Sequence, residues 1–349
     1  MSSKPLRLRP KLGEGSPCCV CMLGLLWVLM ACGGAAGPKV EHAEARPEPT
    51  VAGLLPPDMG LYGHVDVHAV KASPHAAQLQ ALLAAVAPPD SAAGALLQGL
   101  WQGAATLSWG AAGQDAAALL VAMGQFDAKL AQAAVALSES GPWPPAEQAP
   151  RQVEGWQVWT GRRSAAALYQ QKLWVWGPVA VVEARLRADD AHQAASDKLQ
   201  PALKGLHQAL TAGDATFDAL LVSRLDGRVG QEIGQLRRVV DPAALQHLRA
   251  FGARASLRQG LALLLRADGD DAASAAALAA QLQGRFDRLA RNIVVRALGL
   301  ASLLRAVQVQ ASGPSLSLAL DLDLPTSQQL LQRLQPLAVG ALRRGLVQP

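Results

Sequence analysis

Leucine alternates with mostly polar residues between Ser315 and Leu324. Leucines occupy every even position from 316 to 324, and serine or aspartate occupies most of the odd ones. A period of two places all five leucines on one face of a β-strand. A shorter alternating stretch, Val307 to Gln310, precedes it across the turn signal Ser312-Gly313-Pro314. The two stretches are therefore predicted to form an antiparallel hairpin.

The same analysis, extended along the chain, predicts one order of elements twice. The first set has strands at 61–67, 104–110, 116–125, 152–160 and 167–177, and helices at 73–87, 127–139 and 179–193. After a linking helix near 196–212, the second set has strands at 215–224, 252–258 and 261–267, helical segments at 228–248 and from Asp270, the hairpin above, and a helix from about Ser327.

This order predicts an α+β fold with two similar modules, residues 59–195 and 196–349. Each module is expected to be an antiparallel sheet with helices packed on one face, in the order strand-helix-strand-strand-helix-strand-strand-helix. The alternative is an alanine-rich α+β chain that contains no repeat.

The first 31 residues have the layout of a secretion signal. Lys4, Arg7, Arg9 and Lys11 precede an uncharged, mostly apolar run from Pro17 to Ala31. That run is roughly 15 residues, short of the ~20 that a membrane-spanning helix requires. It ends in Leu29-Met30-Ala31-Cys32, followed by Gly33 and Gly34.

These last residues resemble the lipobox of bacterial lipoproteins, in which a small residue precedes a cysteine that is lipidated before the signal is removed. The resemblance covers the signal alone. It implies a palmitate-type acyl anchor on Cys32, attachment to a membrane of the cell envelope, and a location facing the periplasm or the cell surface. Since Gly33 is not aspartate, similarity to enterobacterial sorting favours the outer membrane. An ordinary signal peptide, or an uncleaved anchor helix, is the alternative.

Cysteine usage agrees with this interpretation, because all four cysteines lie at or before position 32. A cleaved chain keeps Cys32 alone, which excludes an internal disulfide and a cysteine-based metal site. Residues 32–58, rich in Gly, Ala, Pro and Glu, are expected to form the lipidated flexible tether.

Removal of the signal also changes the charge. The full chain has 32 Lys and Arg against 27 Asp and Glu, a net charge of +5. Cleavage removes four basic residues and Glu14, which leaves 28 against 26. A net charge of about +2 does not indicate a nucleic-acid partner.

One short segment, His64-Val65-Asp66-Val67-His68, has metal-ligand character. On a strand, His64, Asp66 and His68 share a face, and His75 is the nearest candidate for a fourth ligand of zinc or another divalent ion. Same-face side chains stand nearly 7 Å apart, however, so the strand has to bend before they meet at one ion. A solvated polar face is the alternative.

Tryptophan is concentrated in the first module. Trp174 and Trp176 share a strand face, and Trp156 and Trp159 lie on the strand expected to pair with it. Such a cluster is typical either of a groove for an apolar or sugar ligand or of core packing.

Signatures of common catalytic sites, such as Gly-x-Ser-x-Gly and His-Glu-x-x-His, are missing from the sequence. We therefore expect no cofactor and a non-enzymatic, lipid-anchored envelope protein that binds a ligand or a protein partner or stabilises an assembly. The alternative is a lipid-anchored periplasmic hydrolase, with a metal at His64, Asp66 and His68 or with catalytic carboxylates.

Overall fold

The fold is that of a computed structural model of the chain, which describes residues 48–112, 118–139, 149–188, 193–212, 217–225, 245–297 and 299–347. The signal at 1–31, Cys32, most of the expected tether, and all but the last four residues of the helical segment expected over 228–248 lie outside these residues. Within them, no helix combines the length and the hydropathy that crossing a bilayer requires.

The chain is α+β, as the sequence predicts. The strands are β1 Leu61–Asp66, β2 Ala104–Ala111, β3 Leu119–Gly124, β4 Arg151–Val153, β5 Trp156–Thr160, β6 Ser164–Tyr169, β7 Leu173–Pro178, β8 Ala219–Arg224, β9 Leu248–Ser256, β10 Gly260–Gly269, β11 Gln308–Ser312 and β12 Ser315–Asp323. The α-helices are α1 Val51–Leu54, α2 Val67–Lys71, α3 Ala76–Val86, α4 Ala92–Gly103, α5 Ala128–Glu139, α6 Val179–Arg187, α7 Pro201–Thr211, α8 Ala272–Arg291, α9 Ile293–Ala297, α10 Ala301–Ala306 and α11 Leu324–Val347.

All twelve strands join in one antiparallel sheet, in the order β11-β12-β10-β9-β8-β1-β2-β3-β7-β6-β5-β4. The expectation of a separate sheet in each module is therefore wrong. The cause is the pairing of β1 with β8, in which Leu61 stands opposite Ser223 and Val65 opposite Ala219. This central ladder joins residues that are far apart in sequence, so no local pattern predicts it.

Helices cover both faces of the sheet in its first half, rather than one face as predicted. We call the two faces the Trp109 face and the Ser108 face, after neighbouring residues of β2. Leu96 and Leu100 of α4 and Leu130 of α5 pack against the Trp109 face. The Ser108 face is covered there by α1 and α6, through Leu54, Val182 and Leu186. On the same face α7 packs over β8 and β9 of the second half, through Leu203, Leu206 and Leu210.

Close packing of an indole on a glycine marks the centre of the sheet. Trp109 stands opposite Gly63 in the β1–β2 ladder and is 4% exposed. A Cβ on Gly63 would lie 2.0 Å from Trp109 Cζ2, so the ring occupies the space that any other residue would fill. Only glycine allows the indole to lie flat across β1.

Several local predictions need correction. The expected strand 152–160 is the hairpin β4–β5, and the expected strand 167–177 is the hairpin β6–β7. The structure also contains α4, which the sequence pattern did not indicate, and α1 within the stretch assigned to the tether. Thr50 begins α1 as its N-cap, because Oγ1 of its side chain accepts from Gly53 N at 3.0 Å.

The second half of the sheet has a thinner cover. The leucines at 316, 318, 320 and 322 of β12 share the Trp109 face, as predicted, and Leu324 begins α11. Leu316 and Leu322 are buried, but Leu318 and Leu320 between them are only half-buried. The two ends of this leucine row pack into separate clusters, one with α8 and the other with α3 and α11.

Candidate functional site

The proposed metal ligands do not converge. Strand β1 ends at Asp66, whose Oδ1 accepts from Ala69 N at 2.8 Å and thereby caps α2. His68 consequently lies on a helix and is exposed. The prediction that it shares a strand face with His64 is wrong. Across the described residues, no group of three or more His, Cys, Asp or Glu side chains has the arrangement needed to hold a metal.

His64 instead belongs to a polar cluster on the Ser108 face. Its Nδ1 lies 2.9 Å from Ser108 Oγ, and Ser108 is 1% exposed. Burial lowers the pKa of His64, with Asp66 raising it and His207 lowering it further by smaller amounts. The lowered pKa favours the neutral form of the imidazole, which is hydrogen bonded to Ser108.

Tyr62 and His207 complete this cluster. Their ring centroids are 5.9 Å apart, which joins β1 to α7. Burial raises the pKa of Tyr62 to about 12, although its hydrogen bond with Ser108 opposes the shift. Burial also lowers the pKa of His207. Because the serine hydroxyl is shielded from solvent, we interpret the cluster as neutral polar packing beneath α7 rather than as a nucleophile and its base.

His75, the candidate fourth ligand, is fully buried elsewhere. Its Nε2 lies 3.1 Å from Gly260 O and 3.1 Å from Ser327 Oγ. The ring therefore links the start of α3 to β10 and α11, which is a structural role.

The four tryptophans proposed as a groove are divided between the two faces. Trp156 lies on the Ser108 face, whereas Trp159, Trp174 and Trp176 lie on the Trp109 face. Trp156 and Trp159 are each 3% exposed, and Trp174 is fully buried. Trp174 and Trp176 stack with centroids 6.5 Å apart. The sheet thus uses these indoles mainly as core, and they do not line one groove.

Three of the indoles on the Trp109 face form a row across the sheet. Trp109, Leu120, Trp176, Ala166 and Trp159 stand opposite one another on the five strands from β2 to β5. The Nε1 atoms of Trp109, Trp159, Trp174 and Trp176 are buried without an acceptor among the described residues. This face is consequently a buried, aromatic core.

A depression at the outer edge of the sheet lies next to this core. Its volume is about 350 Å³, and it is lined by Gln152, Gly155, Gln157, Leu168, Gln170 and Gln171. Gln152, Gln157 and Leu168 follow one another across β4, β5 and β6, and Trp174 comes next in the same row on β7. Leu168 is buried, whereas the four glutamines are exposed, so amides surround an apolar floor.

Two tight turns frame the depression. Glu154 and Gly155 have φ of 49° and 85°, and Gln170 and Gln171 have φ of 48° and 60°. Positive φ at both central residues is the geometry of type I′ hairpin turns. The alternating glutamines and Glu154-Gly155 are visible in the sequence, but the Gln170-Gln171 turn has none of the usual residues, so its place beside the first turn was not predicted.

The first described helix is held to the domain by two cationic side chains. Arg185 Nε donates to Leu54 O at 3.2 Å, and its Nη2 donates to Gly53 O. Lys198, 3% exposed, donates from Nζ to Gly53 O at 2.9 Å and to Leu55 O at 3.1 Å. Cations at the carbonyl end of a helix are favourable. The point at which the preceding chain enters the domain is thereby fixed.

Comparison with known proteins adds little to this picture. No protein-family model matches the chain, and no curated protein matches it. Among solved structures, it is similar to three crystal forms of TP0453. Form I has a TM-score of 0.46 and 11% identity, with 84% of this chain and 99% of that chain covered. Forms III and IV have TM-scores of 0.46 and 9% identity, covering 83% and 82% of this chain and 98% and 97% of those chains.

Proposed function

We propose that the protein is a lipid-anchored protein of the cell envelope, acylated on Cys32, whose folded part binds a ligand or a protein partner without catalysis. The sequence Leu29-Met30-Ala31-Cys32 after a basic start and an apolar run supports the anchor. The clamp of Arg185 and Lys198 on α1 is consistent with it, since it fixes the end of the segment that follows Cys32. The outer membrane, facing the periplasm or the cell surface, is the location we favour.

The glutamine-lined depression carries the binding part of the proposal. Each glutamine amide offers two donors and an acceptor but no charge. Four such amides above the apolar floor of Leu168 suit a neutral ligand with both hydroxyl or amide groups and apolar edges, of which a sugar is the plainest example. Polar groups around an apolar surface are the usual composition of such sites.

The anchor is tested in cells grown with labelled palmitate. The full chain should incorporate label, and its Cys32→Ser variant should not. The mature polypeptide should begin at residue 32 by mass spectrometry. An unlabelled chain, or a leader that remains uncut, contradicts the anchor and leaves the binding site to be judged by itself.

The depression is tested by titrating the purified chain in detergent with a neutral N-acetylglucosamine oligomer while side-chain amide NMR signals are followed. We expect shifts in the glutamine amides and their loss in Gln157→Leu, which keeps the bulk of the side chain and removes its amide. Gln310→Leu, on an exposed part of β11, is the matched control. Equal shifts in both variants, or none in the native chain, contradict a sugar site here.

We also propose that the sheet consists of two related modules. Support comes from the strand order outward from the centre: β1, β2, β3, β7, β6 on one side and β8, β9, β10, β12, β11 on the other. In both series the third strand pairs with the last strand of a hairpin. A strand-by-strand superposition of the two series supports this relation, and opposite handedness of their connections contradicts it.

A further inference from the structure

Two large apolar side chains, four residues apart in the sequence, are exposed on either side of the break between α8 and α9. Leu289 is 42% exposed and Ile293 is 80% exposed. Single exposed apolar residues are common on protein surfaces. An isoleucine this open, four residues from an exposed leucine, instead indicates a surface that meets another apolar phase.

Arginines flank this pair in the sequence. Arg285, Arg288, Arg291 and Arg296 fall within the same twelve residues, with Asp287 as the single acid, so the segment 285–296 has a net charge of +3. The first thirteen residues of α8, from 272 to 284, carry no charge. The helix dipole favours basic residues in the last turn of α8, but it gives no reason for an open isoleucine beside them.

We propose that this Ile293 surface, formed by Leu289, Ile293 and the four arginines, rests on the headgroup region of a bilayer that contains anionic lipid. Isoleucine and leucine would enter the upper acyl region while the guanidinium groups remain among the phosphates. Positive charge beside exposed apolar side chains is the complement of an anionic membrane surface.

The position of the anchor is compatible with this orientation. The proposal extends the proposed function, because acylated Cys32 would keep the domain at a membrane. Eighteen residues separate Cys32 from Val51, and a chain of that length spans at most about 60 Å. The tether is therefore long enough for the Ile293 surface to reach the bilayer while Cys32 is anchored there.

The experiment uses the full chain with Ile293→Trp, because no native tryptophan follows Trp176. The chain is added to vesicles of phosphatidylcholine and phosphatidylglycerol in which the phosphatidylcholine has brominated acyl chains, which quench a nearby indole. We expect quenching at position 293 with anionic vesicles, several-fold less without phosphatidylglycerol, and a loss of quenching at high salt. Gln310→Trp, at an exposed position of β11, is the control that should not be quenched.

A second pair of variants tests the charge. Arg288→Gln and Arg291→Gln should each weaken vesicle binding by about fivefold, the equivalent of ~1 kcal/mol for each basic side chain near an anionic surface. Both positions are exposed, so folding should survive. The proposal is overturned if the indoles introduced at positions 293 and 310 are quenched equally, or if sedimentation without lipid shows a dimer that Ile293→Ser dissociates. The mass of the same sample reports acylation, so failure of the anchor is seen separately.

Discussion

The two halves of the sheet are built on the same antiparallel pattern, but their apolar side chains are shielded from solvent to different degrees. Strands β5 to β7 carry three of the four proposed groove tryptophans into a core with 0–3% exposure, and helices cover both faces of their half. Strands β10 and β12 present leucines of which several are only half-buried. The first half buries its aromatic residues in its interior. The second half leaves part of its apolar surface exposed to solvent.

The largest expected difference between the halves is in the free energy of unfolding when a core side chain is truncated. Trp174→Ala should cost about 3–5 kcal/mol, because a fully buried indole leaves a cavity. Leu318→Ala, half-buried on β12, should cost less than about 2 kcal/mol. Urea unfolding of the two variants measures both values. Equal losses of unfolding free energy in the two variants would contradict the difference in burial between the halves.

Gly63→Ala should be the next largest effect, at about 1–3 kcal/mol, since the new methyl group overlaps Trp109. Gly205→Ala is the matched control. Gly205 is exposed within α7, and a methyl group added there would meet nothing within 4 Å, so alanine should stabilise by about 0.5–1 kcal/mol. In a Trp109→Leu background the cost of Gly63→Ala should fall, and an unchanged cost would mean that the indole is not its cause.

The smallest predicted effect is on the pH dependence of stability. Because burial lowers the folded-state pKa of His64 below its ordinary value of 6.5, the unfolded chain binds the proton more readily. The stability that neutral His64 gives the folded chain is complete above pH 6.5. It is lost as the pH falls from there toward the folded-state pKa of His64. His64→Gln should flatten this slope in urea midpoints between about pH 7.5 and pH 5. An unaltered slope would contradict a contribution from His64.

The sequence predicted most elements but not how they assemble. Period-two leucines at 316–324 and the turn at 312–314 identified the β11–β12 hairpin, because those signals are local. The β4–β5 and β6–β7 hairpins were missed as single strands. Glu154-Gly155 could have revealed the first, whereas Gln170-Gln171 lacks every residue that normally marks positive φ. The β1–β8 ladder depends on contacts between distant segments, which periodicity does not encode.

The same limit applies to the candidate sites. His64, Asp66 and His68 were assigned to one strand face only because the alternation was extended past Asp66. Asp66 is a residue that commonly caps helices, and this property was available from the sequence. The tryptophans were recognisable as a group, but the face on which each lies follows from strand register. The glutamine depression needs two hairpin tips to meet, and it emerges only from the folded chain.

Hydrogen exchange of the acylated chain, compared in detergent and on anionic vesicles, tests the contrast between the halves most directly. We predict slow exchange in β6 and β7 under both conditions, and faster exchange at 285–296 in detergent that slows on the vesicles. Equal exchange in the two regions, or protection by vesicles that is spread evenly along the chain, would contradict a closed first half and a second half that meets the membrane.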